Sequence, residues 1–159
     1  MDAWQPFFGA QVSASAALTG LLVVAISASR DRILTSPELL WRACEALIGP
    51  LSVLTLGSAM LIPRQPAPAL GAEALGVGMV CLGAPLAIRL RTLRGSALTF
   101  MRKAGRAALT GCVGAPFTMC GAFVALHAPG AIYWFACGAV LSLTAGVVAS
   151  WVLLIEIAR

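Results

Sequence analysis

Few residues in this 159-residue chain combine a reactive side chain with apolar surroundings. Arg42 and Glu45 stand three apart in one apolar stretch, so a helix would put them on one face as an ion pair. Such a pair is either structural or part of a transport or gating site, because ionisable groups inside a membrane span are costly and count as functional candidates. Glu73 lies near the start of another apolar stretch, where it could reach the headgroups or serve as a functional carboxylate. His127 borders a Pro-Gly turn. Gln11, Ser15 and Thr19 recur every fourth residue and make one polar stripe, while Gly9, Ser13, Ala16, Gly20 and Ser27 make a nearby row of small residues. Both are packing signals, since helices in lipid associate through close approach and hydroxyl bonds. The polar stripe could equally line a path for a solute.

Other chemistries are absent from the sequence pattern. The five cysteines (Cys44, Cys81, Cys112, Cys120 and Cys137) fall in apolar runs with no CxxC pair and no Cys/His cluster of metal-ligand spacing. They read as small packing residues. With one histidine, no Ser/His/Asp or Cys/His arrangement, no phosphate loop and no paired carboxylates, neither an enzyme nor a bound cofactor or metal is expected.

The elements that must position these residues follow from composition. The chain is 60% hydrophobic and 11% charged, whereas a soluble domain is about a quarter charged, so it has too little polar surface to cover a core of its own. Crossing the hydrocarbon takes about 20 apolar residues. Five stretches qualify: 7–29, 39–62, 69–88, 107–128 and 131–155. No Lys or Arg precedes Arg30, so the first stretch is expected to be a retained helix and not a cleaved signal. The fold class expected is all-α, an integral membrane bundle of about five transmembrane helices forming a single transmembrane domain over 1–159.

Direction comes from the segment 89–106, which holds six of the eleven basic residues (Arg89, Arg91, Arg94, Arg102, Lys103 and Arg106) and no acid. Loops rich in Lys and Arg stay in the cytoplasm, which puts the N-terminus outside and the C-terminus inside. Arg30 and Arg32 then land inside, and the neutral Pro129-Gly130 turn lands outside. Trp4, Phe7, Tyr133 and Trp134 would mark the outer interface, and Trp41 and Trp151 the inner one. At 100° per residue Leu90, Leu93, Ala97, Met101 and Ala104 share a stripe opposite Arg91, Arg102, Lys103 and Arg106, so the segment reads as an amphipathic cytoplasmic helix. Gly95 interrupts it, and the part from Ser96 could run straight into the fourth span. Its expected contact is anionic lipid headgroups, with an acidic partner or an anion-attracting vestibule as sharper alternatives. Nucleic acid is not expected, because no aromatic residues are interleaved for stacking.

Three prolines fall inside the spans: Pro50, Pro85 and Pro116. Each removes a helical donor and kinks its helix. The last two close matching pentapeptides, Cys81-Leu-Gly-Ala-Pro85 and Cys112-Val-Gly-Ala-Pro116, which either mark a broken-helix solute cavity or arise by chance in an Ala- and Gly-rich chain.

The run Ser15-Ala-Ala-Leu-Thr-Gly-Leu-Leu-Val-Val-Ala-Ile26 resembles the pore-lining first helix of the Orai calcium-channel family, and Pro37-Glu-Leu-Leu resembles the opening of that family's second helix. The resemblance implies a pore, with Gly20 at the hinge and Val24 at the apolar gate. Ala28 stands where the selectivity carboxylate would be, so calcium selectivity is not implied. That family also has four spans and begins in the cytoplasm. In size and texture the chain resembles small polytopic bacterial membrane proteins of the membrane-protease-modulator type. Ten arginines to one lysine fit a GC-rich bacterial genome and hence a bacterial cytoplasmic membrane. The functional expectation is association, as an accessory subunit or homo-oligomer, with a small oligomeric channel or carrier as the alternative.

Overall fold

A computed structural model describes residues 2–35, 37–91 and 97–158. Within them, side chains are described except at Asp2, Arg32, Thr35, Pro37, Glu38, Pro85, 87–91, 97–110, Leu153, Leu154 and 156–158. The protein is all-α: among the described residues there is no strand. After a single 3-10 turn at Asp2–Trp4 come α1 (Gln5–Ala28), α2 (Arg30–Thr35), α3 (Pro37–Leu61), α4 (Ala67–Arg91), α5 (Ala97–Ala125) and α6 (Ala131–Ala158).

The five long helices match the five apolar stretches, and their ends have local causes. Pro6, Pro37 and Pro68 stand in the first turns of α1, α3 and α4, where a missing N–H costs nothing. The α5 helix stops at Ala125, three residues before the apolar run ends. There His127 takes φ 52°, its N–H reaches the Val124 carbonyl at 3.1 Å, and the Ala128 N–H reaches that of Phe123 at 2.8 Å. This paired capping is the Schellman motif, whose left-handed position is usually glycine. Two departures from the sequence reading stand out. The first loop is itself helical, as α2, with Ile33 buried. The basic segment is not a helix of its own: α4 runs on to Arg91, and α5 begins at Ala97 as one helix that carries Arg102, Lys103 and Arg106. Helical backbone from Ala97 onward costs little, because the segment lacks proline until Pro116.

Four helices contain stretches long and apolar enough to cross a membrane: Gln5–Ala28, Leu39–Leu61, Ala67–Ala84 and Ala131–Val152. In α5 the corresponding stretch among the described residues is shorter, Gly111–Ala125. Only 11% of the α1 stretch and 39% of the α3 stretch is buried within the chain. Large apolar side chains such as Leu21, Val24, Met79, Val147 and Trp151 are exposed. Exposed apolar side chains of this size and number call for lipid or other helices to cover them.

The chain divides into two compact units, residues 1–63 with 142–159, and residues 64–141. In the first, α1 packs on α3. Its core is built from Phe8, Leu22, Val53 and Leu56. In the second, α4 packs on α5 so closely that glycines replace side chains at the contact. A Cβ on Gly78 would lie 2.6 Å from the Thr118 backbone nitrogen, and one on Gly121 2.6 Å from that of Leu75. Phe117 and Phe135, both fully buried, fill the space beside this contact with ring centroids 6.3 Å apart.

Candidate functional site

The polar stripe on α1 turns inward. Ser15 is fully buried and its hydroxyl donates to the carbonyl of Pro50 on α3. Pro50 has no N–H to give to the Ala46 carbonyl four residues back, so α3 is weakened at this turn, and a hydroxyl from α1 braces it. Gln11 and Thr19, one turn to either side of Ser15, are half-buried. The Gln11 Oε1 and Thr19 Oγ1 atoms are themselves buried and find no partner among the described residues.

The same turn of α3 receives α6. Gly49 lets Ser142 approach, for a Cβ there would sit 3.3 Å from the Ser142 carbonyl oxygen. Gly146, one turn further along α6, faces the Pro50 ring and Leu18, with 3.0 and 3.2 Å to an added Cβ. Ser142 is fully buried, and its Oγ has no partner among the described residues. Three helices thus converge on Gly49-Pro50 through small and hydroxyl-bearing residues. Nearby hydroxyls bond within their own helices: Ser52 to the Ile48 carbonyl at 2.6 Å, Thr55 to that of Leu51 at 2.9 Å, and Ser150 to that of Gly146 at 2.5 Å. Back-bonding of this kind lets a hydroxyl sit in apolar surroundings without a partner helix.

The remaining candidates are dispersed. Arg42 and Glu45 are half-buried on α3, and neither lacks a partner. Glu45 is five residues from Pro50, about 7.5 Å along the axis, and Arg42 about 12 Å. Glu73 is exposed near the start of α4, where its carboxylate accepts a hydrogen bond from Gln65 Nε2 at 2.8 Å and ties the preceding loop to the helix. His127 is exposed and serves the α5 cap. Among the described residues no group of His, Cys, Asp and Glu has metal-binding proximity. Arg94 lies outside the described residues; Arg89 and Arg91 fall in the last turn of α4, and Arg102, Lys103 and Arg106 in the first turns of α5.

The two matching pentapeptides meet. Contacts step along α4 as Gly71, Leu75, Gly78 and Leu82 and along α5 in reverse as Ala125, Gly121, Thr118 and Gly114, an antiparallel register that sets 81–85 against 112–116. Only one of the paired glycines is used, however. A Cβ on Gly114 would lie 2.7 Å from Leu82, while Gly83 faces open space. The row of small residues on α1 is also open among the described residues: Ser13, Ala16, Gly20 and Ser27 are exposed, and nothing lies within 4 Å of a Cβ added at Gly9 or Gly20.

Sequence reasoning missed Ser142 and the contact glycines. Gly71 with Gly78 and Gly114 with Gly121 are seven apart, which keeps each pair on one face, but Gly76 and Gly83 share that spacing and face open space, so no local signal marked the contact. Comparison with family models, curated proteins and solved structures finds no match to this chain.

Proposed function

We propose that the chain is a polytopic membrane protein that acts by association, as a regulatory, assembly or accessory subunit of a larger membrane complex or as a homo-oligomer, and carries out no catalysis itself. The observation that carries this reading is the outward face of α1. The helix bonds α3 through Ser15 and leaves its small residues exposed, with open space at Gly9 and Gly20. In lipid, small residues on an exposed helix face allow another backbone to approach, which is how membrane helices gain contact area. The seven glycines among the described residues that do meet a neighbour use that device internally. In this reading α5 completes a fifth span, the basic segment lies in the cytoplasm, and the membrane is a bacterial cytoplasmic one with the N-terminus outside.

A second reading, a small oligomeric channel or carrier, draws on the buried, unpartnered Gln11 Oε1 and Thr19 Oγ1 at the two ends of the α1 stripe. One experiment separates the two. The native mass of the protein is measured in mild detergent for the wild type and for Gly20→Leu, with single cysteines at positions 11 and 19 probed by a membrane-impermeant thiol reagent in a Cys-free background. Association through α1 predicts a defined assembly that Gly20→Leu dissociates, with both cysteines protected. A wild type that stays monomeric and binds no other chain contradicts association, and rapid labelling at both positions favours the pathway.

A further inference from the structure

In the first unit the polar groups stand at the centres of three apolar stretches. Ser15 and Thr19 bracket the middle of Gln5–Ala28, Pro50 is the central residue of Leu39–Leu61, and Ser142 lies at the middle of Ala131–Val152. Hydrocarbon offers a polar atom nothing to bond, so the centre of a span is the costliest place to leave one unpaired.

Packing brings these centres to one turn of α3. The connection from α1 to α3 spends six of its residues on α2, about 9 Å of helix, which is too short to return along the roughly 36 Å of α1, so the two helices run antiparallel. Ser15 stands thirteen residues before the end of α1 and Pro50 thirteen after the start of α3, and the bond between them fixes that register. Thr19 and Ala46, each nine residues from those same ends, are therefore level. From α6, the Ser142 Oγ comes within 3.4 Å of a Cβ placed at Gly49, and Gly146 lies against both the Pro50 ring and Leu18, the neighbour of Thr19. Around this turn stand five oxygens: the hydroxyls of Ser15, Thr19 and Ser142 and the carbonyls of Ala46 and Pro50. The Thr19 and Ser142 hydroxyl oxygens are buried without a partner among the described residues, and Pro50 has no N–H for the Ala46 carbonyl. A serine can bond back to its own helix, as Ser150 does to the Gly146 carbonyl, yet Ser142 aims its oxygen at α3.

We propose that these oxygens bind a small monovalent cation of the sodium class at the centre of the membrane. The inference rests on the membrane-spanning reading above and not on association through α1. A carbonyl released by a break in one helix, joined by hydroxyls from its neighbours, can replace the water shell of such an ion. All five oxygens are neutral, and a divalent ion would bring two charges into a low-dielectric site with no carboxylate among its ligands. The approach of the helices at Gly146, where an added Cβ would meet atoms at 3.0 Å, favours a small ion over an organic cation. Without the ion the two hydroxyls are a cost to the fold, which is expected of binding groups and not of packing groups.

The test is equilibrium binding of radioactive sodium to the detergent-purified protein, with thermal unfolding followed in sodium chloride and in choline chloride at equal ionic strength. Wild type is expected to bind sodium saturably, one ion per chain, and to unfold at a higher temperature in sodium than in choline. Ser142→Ala and Thr19→Ala are each expected to weaken binding by about tenfold or more and to lose the sodium-dependent shift. In choline, Ser142→Ala should be at least as stable as wild type. Thr19→Ser, which keeps the hydroxyl, is expected to bind within a few-fold of wild type and guards against a folding defect. So is Thr55→Ala, whose hydroxyl is exposed and bonded to the Leu51 carbonyl. No saturable sodium binding by wild type, identical unfolding in sodium and choline, undiminished binding by Ser142→Ala, or equal loss in Thr55→Ala would each overturn the proposal. A turn that holds water alone would give the first two results. Release of the protein from vesicles by an alkaline wash would overturn the spanning reading itself; retention without sodium binding overturns only the ion site.

Discussion

The two units hold their helices together in different ways. In residues 64–141 the α4–α5 contact is made by absence: at Gly78 and Gly121 the opposing backbone occupies the space of a side chain. In the first unit the contacts are made by groups: a serine hydroxyl on a proline carbonyl, a proline ring against Gly146, and Phe8 and Leu22 buried. Backbone contact tolerates no added atom, whereas contact through side chains can be adjusted by rotamer changes. The first kind should therefore fail steeply on substitution and the second by small increments.

The largest expected effect is at Gly78. In Gly78→Ala the new methyl would lie 2.4 Å from Thr118 Cγ2 and 2.6 Å from the Thr118 nitrogen, and the nitrogen cannot move without α5. We expect a loss of about 3 kcal/mol, at the upper end of the usual cost of overpacking. Gly20→Ala, where nothing lies within 4 Å, should be neutral or stabilising by up to about 1 kcal/mol through helix propensity. Reversible unfolding in mixed micelles measures both. If the two substitutions cost the same, the distinction between packed and open glycines is wrong.

Much of this arrangement was legible in the sequence, and the reasons are specific. All five long helices were readable, because apolar length and Pro/Gly punctuation are local signals. The inward turn of Ser15 was not. A stripe of Gln11, Ser15 and Thr19 fixes a face, but which neighbour that face meets depends on how α1 packs on α3, a tertiary matter. Nor could the pattern tell that the small row on α1 would stay open while glycines of α4 and α5 closed on each other, since both sets have helical spacing. Seven-residue spacing does not separate them either, because Gly76 and Gly83 share it and face open space. The continuity of α5 through its basic start was legible as one of two readings, since Gly95 marks an interruption after which the segment can run straight into the fourth span, as α5 does from Ala97.

A middle-sized pair of effects tests the first unit. Ser15→Ala removes a buried hydroxyl that donates to Pro50, and measured values for such bonds between membrane helices suggest a loss of about 0.6 to 1.7 kcal/mol. Ser142→Ala removes a hydroxyl that is as deeply buried but without a partner among the described residues, so the same change should be neutral or stabilising by about 1 kcal/mol. Opposite signs at two fully buried serines would show that bonding, not burial, carries the α1–α3 contact. Equal losses at both would mean that Ser142 has a role in holding α6 against Gly49.

The smallest effect lies at the end of α5 and sharpens the comparison from the other side, because there the tightly packed unit is the one under strain. His127 occupies the left-handed position of the cap at φ 52°, where a Cβ is crowded and glycine is at ease. His127→Gly removes that crowding and keeps the two capping bonds from the His127 and Ala128 amides, since both use backbone groups. Against this gain stands the extra freedom that glycine gives the unfolded chain. The side chain is exposed, so its removal forfeits little packing. The net expectation is a stabilisation of a few tenths to about 1 kcal/mol, with His127→Ala, which keeps the Cβ, giving no gain. Thermal unfolding of both variants beside wild type reads the difference. A loss of stability in His127→Gly would mean that the imidazole itself holds the turn, and the backbone cap would then be a consequence of that contact and not its cause.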